Sequence, residues 1–258
     1  MTLGLGIDIG TSGVRTAVVN SARAVLSMAR APHLPQDPDH MDASLWWEAV
    51  KTCLGHQVEA LRSAGIDPAT IDRIAVDGTS GSMVLADGNI DPVSPALMYN
   101  SKGFEAEAAV IDAVAPAGHI TRGSNSALAR AMRLRERVKA APAHLLHQAD
   151  FVAAKLTAHP GRSDHNNALK TGFDPETESW PDWIDAVFDA ELLPEVLPVG
   201  TPFAPLSRAV ADQFGLSREA VVCVGTTDSI AAFLAAAPLE PGVAVTSLGS
   251  TLAVKMLS

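Results

Sequence analysis

The sequence has little of what stabilises small secreted or zinc-dependent folds. Only 2 of its 258 residues are cysteine. Cys53 lies in a helical segment and Cys223 in an apolar run, with no CxxC motif, which favours a reduced, cytoplasmic protein. The 8 histidines form neither an HExxH motif nor a paired Cys/His pattern, so no zinc site is predicted.

Long apolar runs and an excess of positive charge are also missing. No segment reaches the roughly 20 apolar residues that span a bilayer, and the start, MTLGLGIDIG, lacks the basic flank of a signal peptide. The formal net charge is -10, which opposes attraction to nucleic acid or to an anionic membrane. We therefore expect neither partner, and an anionic ligand would need a local binding device.

What is present is a 47% hydrophobic composition in which strand-like runs alternate with helical ones, a pattern typical of α/β folds. Strands are predicted at 3–9, 14–19, 71–76, 83–86, 221–224, 243–248 and 252–256, and the strands at 71–76 and 83–86 are expected to pair with each other. Helices are predicted at 43–64, 104–114, 126–140, 143–157 and 229–237. Residues 159–177 are predicted as a polar loop, and 238–242 as the best domain boundary.

The first motif is LGLGIDIGTSGVRTAVV, which predicts two strands joined by a glycine-rich turn. A dinucleotide fingerprint would lead into a helix, with an acid about twenty positions later; this turn leads into a strand. No GxxxxGK[ST] is present, which excludes a P-loop. Such a turn can direct backbone N–H groups and hydroxyls at an anion, and Asp8 beside it can hold Mg²⁺. The alternative is an ordinary hairpin in which Asp8 caps the turn.

The tail segment VTSLGSTLAVKML repeats this arrangement. Aligning Gly10 with Gly249 places Ser247 at the position of Asp8, so the hairpin itself does not require an acid. Two similar hairpins indicate a duplicated fold, with chance similarity as the alternative.

Three further segments carry candidate polar residues. In VVCVGTTDSIAAFLAAA, a strand runs into a helix near Asp228, which either suits the helix dipole or serves as a general base that the dipole keeps ionised. Both interpretations stay open. The segment VDGTSGSMVLAD places Asp77, Thr79 and Ser80 in a glycine-rich turn, for which a plain turn is the usual explanation. The segment SDHNNALKTGFD is either a solvated polar loop or a source of hydrogen bonds to a polyol, through Asp164, Asn166, Asn167 and Lys170.

Taken in order, six segments resemble the FGGY carbohydrate kinase family, which shares a superfamily with hexokinase, glycerol kinase and actin. They are IDIGTSGVRTAVV, QDPDHMDASLWWEAV, PALMYNSKG, ADFVAAKLTAHPGRSDHNNALKTGFD, VGTTDSIAAFLAA and SLGSTLAVK. The resemblance implies an α/β, actin/hexokinase-like (ribonuclease H-like) lobe with a mixed sheet flanked by helices. It makes residues 1–238 the N-terminal, sugar-binding lobe and 239–258 the start of a second, nucleotide-binding lobe that is nearly absent.

The resemblance also implies ATP-dependent phosphorylation of a sugar hydroxyl, nearest to the pentulose kinases acting on ribulose or xylulose, with Mg²⁺ as cofactor. Asp8 would organise Mg²⁺, Asp228 would be the general base, and Ser80, Asp164 and Asn166 would contact the sugar. The implied nucleotide contacts are Asp8, Gly10, Thr11, Ser12, Gly249, Ser250 and Thr251. The alternative is a catalytically incompetent lobe that binds sugar or a partner. An exposed edge around 243–257 would favour a homodimer.

Overall fold

The structure is a computed structural model that describes residues 2–33, 41–138, 140–236, 238, 240–248 and 252–256. Its strands are β1 Leu3–Ile9, β2 Gly13–Asn20, β3 Val25–Pro32, β4 Ile71–Gly78, β5 Met83–Ala86, β6 His144–His147, β7 Arg162–Asp164, β8 Glu195–Leu197, β9 Pro202–Pro205, β10 Val221–Thr227, β11 Ala244–Leu248 and β12 Leu252–Met256. Its helices are α1 Ser44–Ser63, α2 Glu105–Val114, α3 Ala127–Arg137, α4 Gln148–Thr157, α5 His165–Thr171, α6 Arg208–Phe214 and α7 Asp228–Ala236. Three short 3₁₀ turns lie at Pro68–Thr70, Asp182–Ala186 and Ala190–Leu192.

A six-stranded sheet organises the fold, in the order β3-β2-β1-β4-β10-β9. The first three strands form an antiparallel meander, whereas β1, β4 and β10 run parallel to one another. Strand β9 closes the far edge antiparallel to β10. The predicted α/β fold with a mixed sheet is therefore confirmed.

The main hydrophobic core lies between this sheet and the helices α1 and α4. Alternation along β1 buries Leu5 and Ile7, because side chains of a strand point alternately to its two faces. Helix α1 contributes Trp46, which is fully buried and meets the Phe151 ring of α4 edge-on, with 6.0 Å between ring centroids. This packing holds the sheet rigid beneath its polar strand ends.

A second hydrophobic cluster lies beside the main core and includes Met83, Leu97, Phe104 and Leu134. The structure of this region corrects two predictions. Strand β5 pairs with β6 and not with β4. The helix predicted from residue 143 begins only at Gln148, because the four residues before it pair with β5 and form β6.

Besides β6, six elements were missed: β3, α5 and α6, and the short strands β7, β8 and β9. Strand β3 is mostly exposed at the sheet edge, so it shows no apolar run. Helices α5 and α6 have 7 residues each, which is too short for a clear helical periodicity; α5 lies inside the predicted polar loop.

The last two strands, β11 and β12, form a two-stranded sheet of their own. This arrangement leaves the domain boundary after residue 238 as a prediction. Among the described helices, none combines the length and the apolarity needed to cross a membrane.

Candidate active site

Three carboxylates meet where the parallel strands end. Asp8 on β1 is paired in register with Asp77 on β4, and Asp77 is paired in turn with Thr226 on β10. Asp228 follows directly as the first residue of α7. Because the C-terminal ends of parallel strands lie along one edge, these side chains share a cleft of about 520 Å³. The structure therefore brings the sequence-predicted pair, Asp8 and Asp228, together.

A glycine sets the position of the third strand. A Cβ atom on Gly225 would lie 1.7 Å from the carbonyl oxygen of Val76 on β4. The strand pairing shifts here, between Cys223 and Thr226. Only glycine permits this close approach of β10 to β4, and the approach carries Thr226 and Asp228 to the acidic cleft.

Asp77 is a site residue that the sequence analysis placed in a glycine-rich turn without giving it a role in the site. Burial, the charges of Asp8 and Asp228, and a side-chain hydrogen bond with Asp8 raise the pKa of Asp77 to about 8. A pKa of about 8 keeps the Asp77 carboxyl largely protonated at neutral pH. In the sequence Asp77 belongs to an ordinary-looking glycine-rich turn, and its in-register position beside Asp8 depends on the pairing of distant strands.

The environment of Asp228 also shifts its pKa. Burial raises the pKa of Asp228, and the negative charge of Asp8 adds to this effect. Its Oδ1 accepts the Ser229 N–H at 2.6 Å, and this bond and the positive charge of Lys255 oppose the rise. Burial and a neighbouring acid thus act against the ionising effect that the sequence analysis attributed to the helix dipole, and the role of Asp228 as a general base stays a prediction.

The carboxylates of the acidic cleft suit a hard cation such as Mg²⁺, provided that the cation has further ligands from outside this group. Among the described residues, no group of three or more His, Cys, Asp or Glu is arranged to hold a metal ion by itself. The repulsion that raises the pKa of Asp77 is what a bound cation would relieve. Mg²⁺ typically takes one or two protein carboxylates and completes its shell with water and phosphate oxygens, so the residues fit a phosphate-bound Mg²⁺.

The turn between β1 and β2 borders this cleft, and Gly10 lines it. Thr11 and Ser12 are exposed at its tip, and the Gly10 N–H donates to the Gly13 carbonyl at 2.9 Å. His33, which the sequence analysis did not single out, braces the turn: its backbone N–H donates to the Ser12 carbonyl at 3.0 Å, and its Nε2 lies 3.0 Å from the Gly10 carbonyl. The predicted contacts Gly249, Ser250 and Thr251 lie outside the described residues.

A second cavity, of about 320 Å³, is lined by residues that include Ser80, Tyr99, Asn125, Arg130 and Lys170. The Ser80 hydroxyl is buried and has no hydrogen-bond partner among the described residues. A ligand hydroxyl could supply that partner, as the sequence analysis expects for Ser80. The chain connects the two cavities directly, because Ser80 follows the end of β4 by two residues.

The remaining predicted sugar contacts have structural partners. Asp164 is 2% exposed, and its carboxylate caps α5 by accepting the Asn166 N–H at 2.8 Å and the Asn167 side-chain amide at 2.6 Å. Asn166 donates to the Thr226 hydroxyl at 2.9 Å and so ties α5 to the end of β10. A direct sugar contact by either residue stays a prediction; in this lobe Asp164 serves as a cap.

The strand order, with carboxylates at the ends of its parallel strands and a Gly-Thr-Ser turn beside them, defines a lobe of the actin/hexokinase-like fold. The xylulose kinase of Rhodospirillum rubrum superposes on 96% of this chain with a TM-score of 0.85 and 23% identity, which covers 53% of that structure. Plasmodium falciparum glycerol kinase with ADP superposes with a TM-score of 0.81 and 14% identity, over 98% of this chain and 54% of its own.

Sequence comparison agrees with the fold. Residues 3–120 match the N-terminal domain of the FGGY family of carbohydrate kinases. Xylulose kinase of Streptomyces coelicolor is 29% identical over 96% of this chain and 52% of its own length. This match to residues 3–120 confirms the predicted resemblance. The chain spans about half the length of the curated relatives that it matches.

Proposed function

We propose that this chain, completed by a second lobe, transfers the γ-phosphoryl group of ATP to a hydroxyl of a sugar. The observation that carries the proposal is the convergence of Asp8, Asp77 and Asp228 in one cleft beside the turn at Gly10. The family match and two relatives named xylulose kinases make D-xylulose and D-ribulose the first sugars to test.

In this proposal Asp228 is the general base. It accepts the proton of the attacking hydroxyl as that oxygen bonds to the γ-phosphorus and the bond from phosphorus to the β,γ-bridging oxygen breaks, releasing ADP. The raised pKa of Asp228 supports this role, because a base is most effective when its pKa lies near the working pH. Ser80 and Asn166 would orient the sugar.

In this proposal the phosphates of ATP bind at the two glycine-rich hairpins. Backbone amides at Gly10 and the hydroxyls of Thr11 and Ser12 would contact them from this lobe. The second hairpin would add Gly249, Ser250 and Thr251. Asp8 and Asp77 would hold Mg²⁺, which when bound neutralises phosphate charge. Both cysteines are free, which supports a reducing compartment such as the cytoplasm.

The test is sugar-dependent release of ADP from ATP. It should be measured with residues 1–258 alone and with the same chain fused to the C-terminal half of the Streptomyces coelicolor relative. We expect saturable turnover in the fusion, and a loss of roughly 10²-fold or more in Asp228→Asn with sugar affinity little changed. Turnover near that of the parent would make Asp228 a helix-terminus residue only.

A second candidate is a lobe that binds sugar or a partner without catalysis, which is favoured by the cavity at Ser80, whose buried hydroxyl has no partner among the described residues. Sugar binding without phosphoryl transfer in the fusion would support it. The homodimer stays a prediction, which light scattering can test. Strand β12 exposes the apolar side chains that a second copy could cover, namely Leu252, Val254 and Met256.

A further inference from the structure

The 320 Å³ cavity behind Ser80 is cationic, although the chain has a net charge of -10. Its lining includes Arg122, Arg130 and Lys170 and no carboxylate. The positive charge of Arg122 is paired with a carboxylate, since its Nε lies 3.4 Å from Asp112 Oδ1. Arg130 and Lys170 have no carboxylate partner within the described part of the chain.

Arg130 is the unusual member of this set. It is 3% exposed; its Nε donates to the Gly81 carbonyl at 2.9 Å, but its buried Nη1 has no hydrogen-bond partner among the described residues. Burial lowers its pKa to about 10, with no acid to offset the loss of hydration. A guanidinium buried without a counter-ion is costly, which indicates that the counter-ion comes from a ligand.

The backbone around Arg130 is built to hold the guanidinium in place. Gly81 has a φ of +82°, and a Cβ atom there would lie 2.8 Å from Arg130 Nη2. The N-terminus of α3 opens into the same cavity through its cap residue Ser126, so the positive end of a helix dipole adds to the two cations. The uncharged groups of Tyr99, Asn125 and Ser80 remain for hydroxyls.

We propose that the substrate polyol of this site carries an anionic oxygen group, a carboxylate or a phosphate, bound by Arg130 and Lys170. The inference rests on the proposed function and narrows it from neutral sugars to sugar acids or sugar phosphates. Arginine pairs with planar or tetrahedral oxyanions through charge-assisted hydrogen bonds, which are about twice as strong as neutral ones. A neutral pentulose would leave Arg130 Nη1 without an anionic partner.

The test is isothermal titration calorimetry of residues 1–258, without ATP, using D-xylonate, D-xylulose 5-phosphate and D-xylulose. At least one acid should bind about tenfold or more tightly than D-xylulose, and the tighter acid identifies the anionic group. Arg130→Gln should weaken acid binding about tenfold and change D-xylulose binding less than about twofold. Lys170→Gln should act in the same direction and tests the cavity independently, because its exposed side chain leaves the fold intact.

The matched control is Arg135→Gln, on the same helix. The Arg135 guanidinium is exposed and does not line this cavity. Its Nε lies 2.6 Å from Asp189 Oδ2. This variant should bind the acid as the parent does. Equal affinity for acid and neutral sugar, or no loss in Arg130→Gln and Lys170→Gln, overturns the inference. If the fusion phosphorylates D-xylulose and the sugar acids bind only weakly, this inference is rejected and the proposed function stands. If a sugar acid binds tightly but the fusion transfers no phosphoryl group, only the proposed function is rejected.

Discussion

Replacing Asp77 by asparagine removes the carboxyl group whose pKa is raised to about 8 by burial and by its acidic neighbours. In the unfolded chain the same carboxyl loses its proton near pH 3.8. Between these values the folded state binds more protons than the unfolded state. The free energy of unfolding therefore falls as pH rises, by up to about 1.4 kcal/mol per pH unit.

From pH 5 to pH 7 the free energy of unfolding of the parent should thus fall by up to about 2.7 kcal/mol through this one group. In Asp77→Asn this contribution should be absent. The measurement is urea unfolding followed by tryptophan fluorescence at pH 5, 6 and 7, with EDTA present to remove divalent cations. Asp182→Asn, at an exposed carboxylate, is the control and should follow the parent. If the parent and Asp77→Asn show the same pH dependence, the pKa of Asp77 is not raised in the folded protein.

Three further changes test the fold beneath the site. Gly225→Ala places a methyl group 1.7 Å from the Val76 carbonyl; we expect chemical denaturation to show a loss of several kcal/mol, with Gly55→Ala as the control, since its Cβ meets nothing within 4 Å. Trp46→Ala empties a fully buried position against Phe151 and should cost about 3–5 kcal/mol; a loss below 1 kcal/mol would contradict the core packing. His33→Ala removes the contact between the imidazole and the Gly10 carbonyl; it should leave stability within about 1 kcal/mol but speed hydrogen exchange at the Gly10 amide. Unchanged exchange would show that the His33 side chain does not brace the turn.

Local patterns were enough to predict several elements. The first hairpin follows from two apolar runs around a glycine-rich turn, and helix α1, Ser44–Ser63, from 20 residues of helical periodicity. Both signals lie within one stretch of chain. By contrast, His144–His147 reads as the start of a helix, and only its pairing with Met83–Ala86 makes it a strand.

The sequence by itself determined the alternation of strands and helices, the hairpin with Asp8, and the strand-to-helix junction with Asp228. The tertiary structure decided which acids meet: Asp77 joins them through the parallel pairing of β1 with β4, across some seventy residues of chain. It also decided that Asp164 is a cap and that Arg130 is buried with no carboxylate partner among the described residues. Burial and pairing between distant segments set these properties, because the free energy of a charge depends on its surroundings in the folded state rather than on its neighbours in the chain.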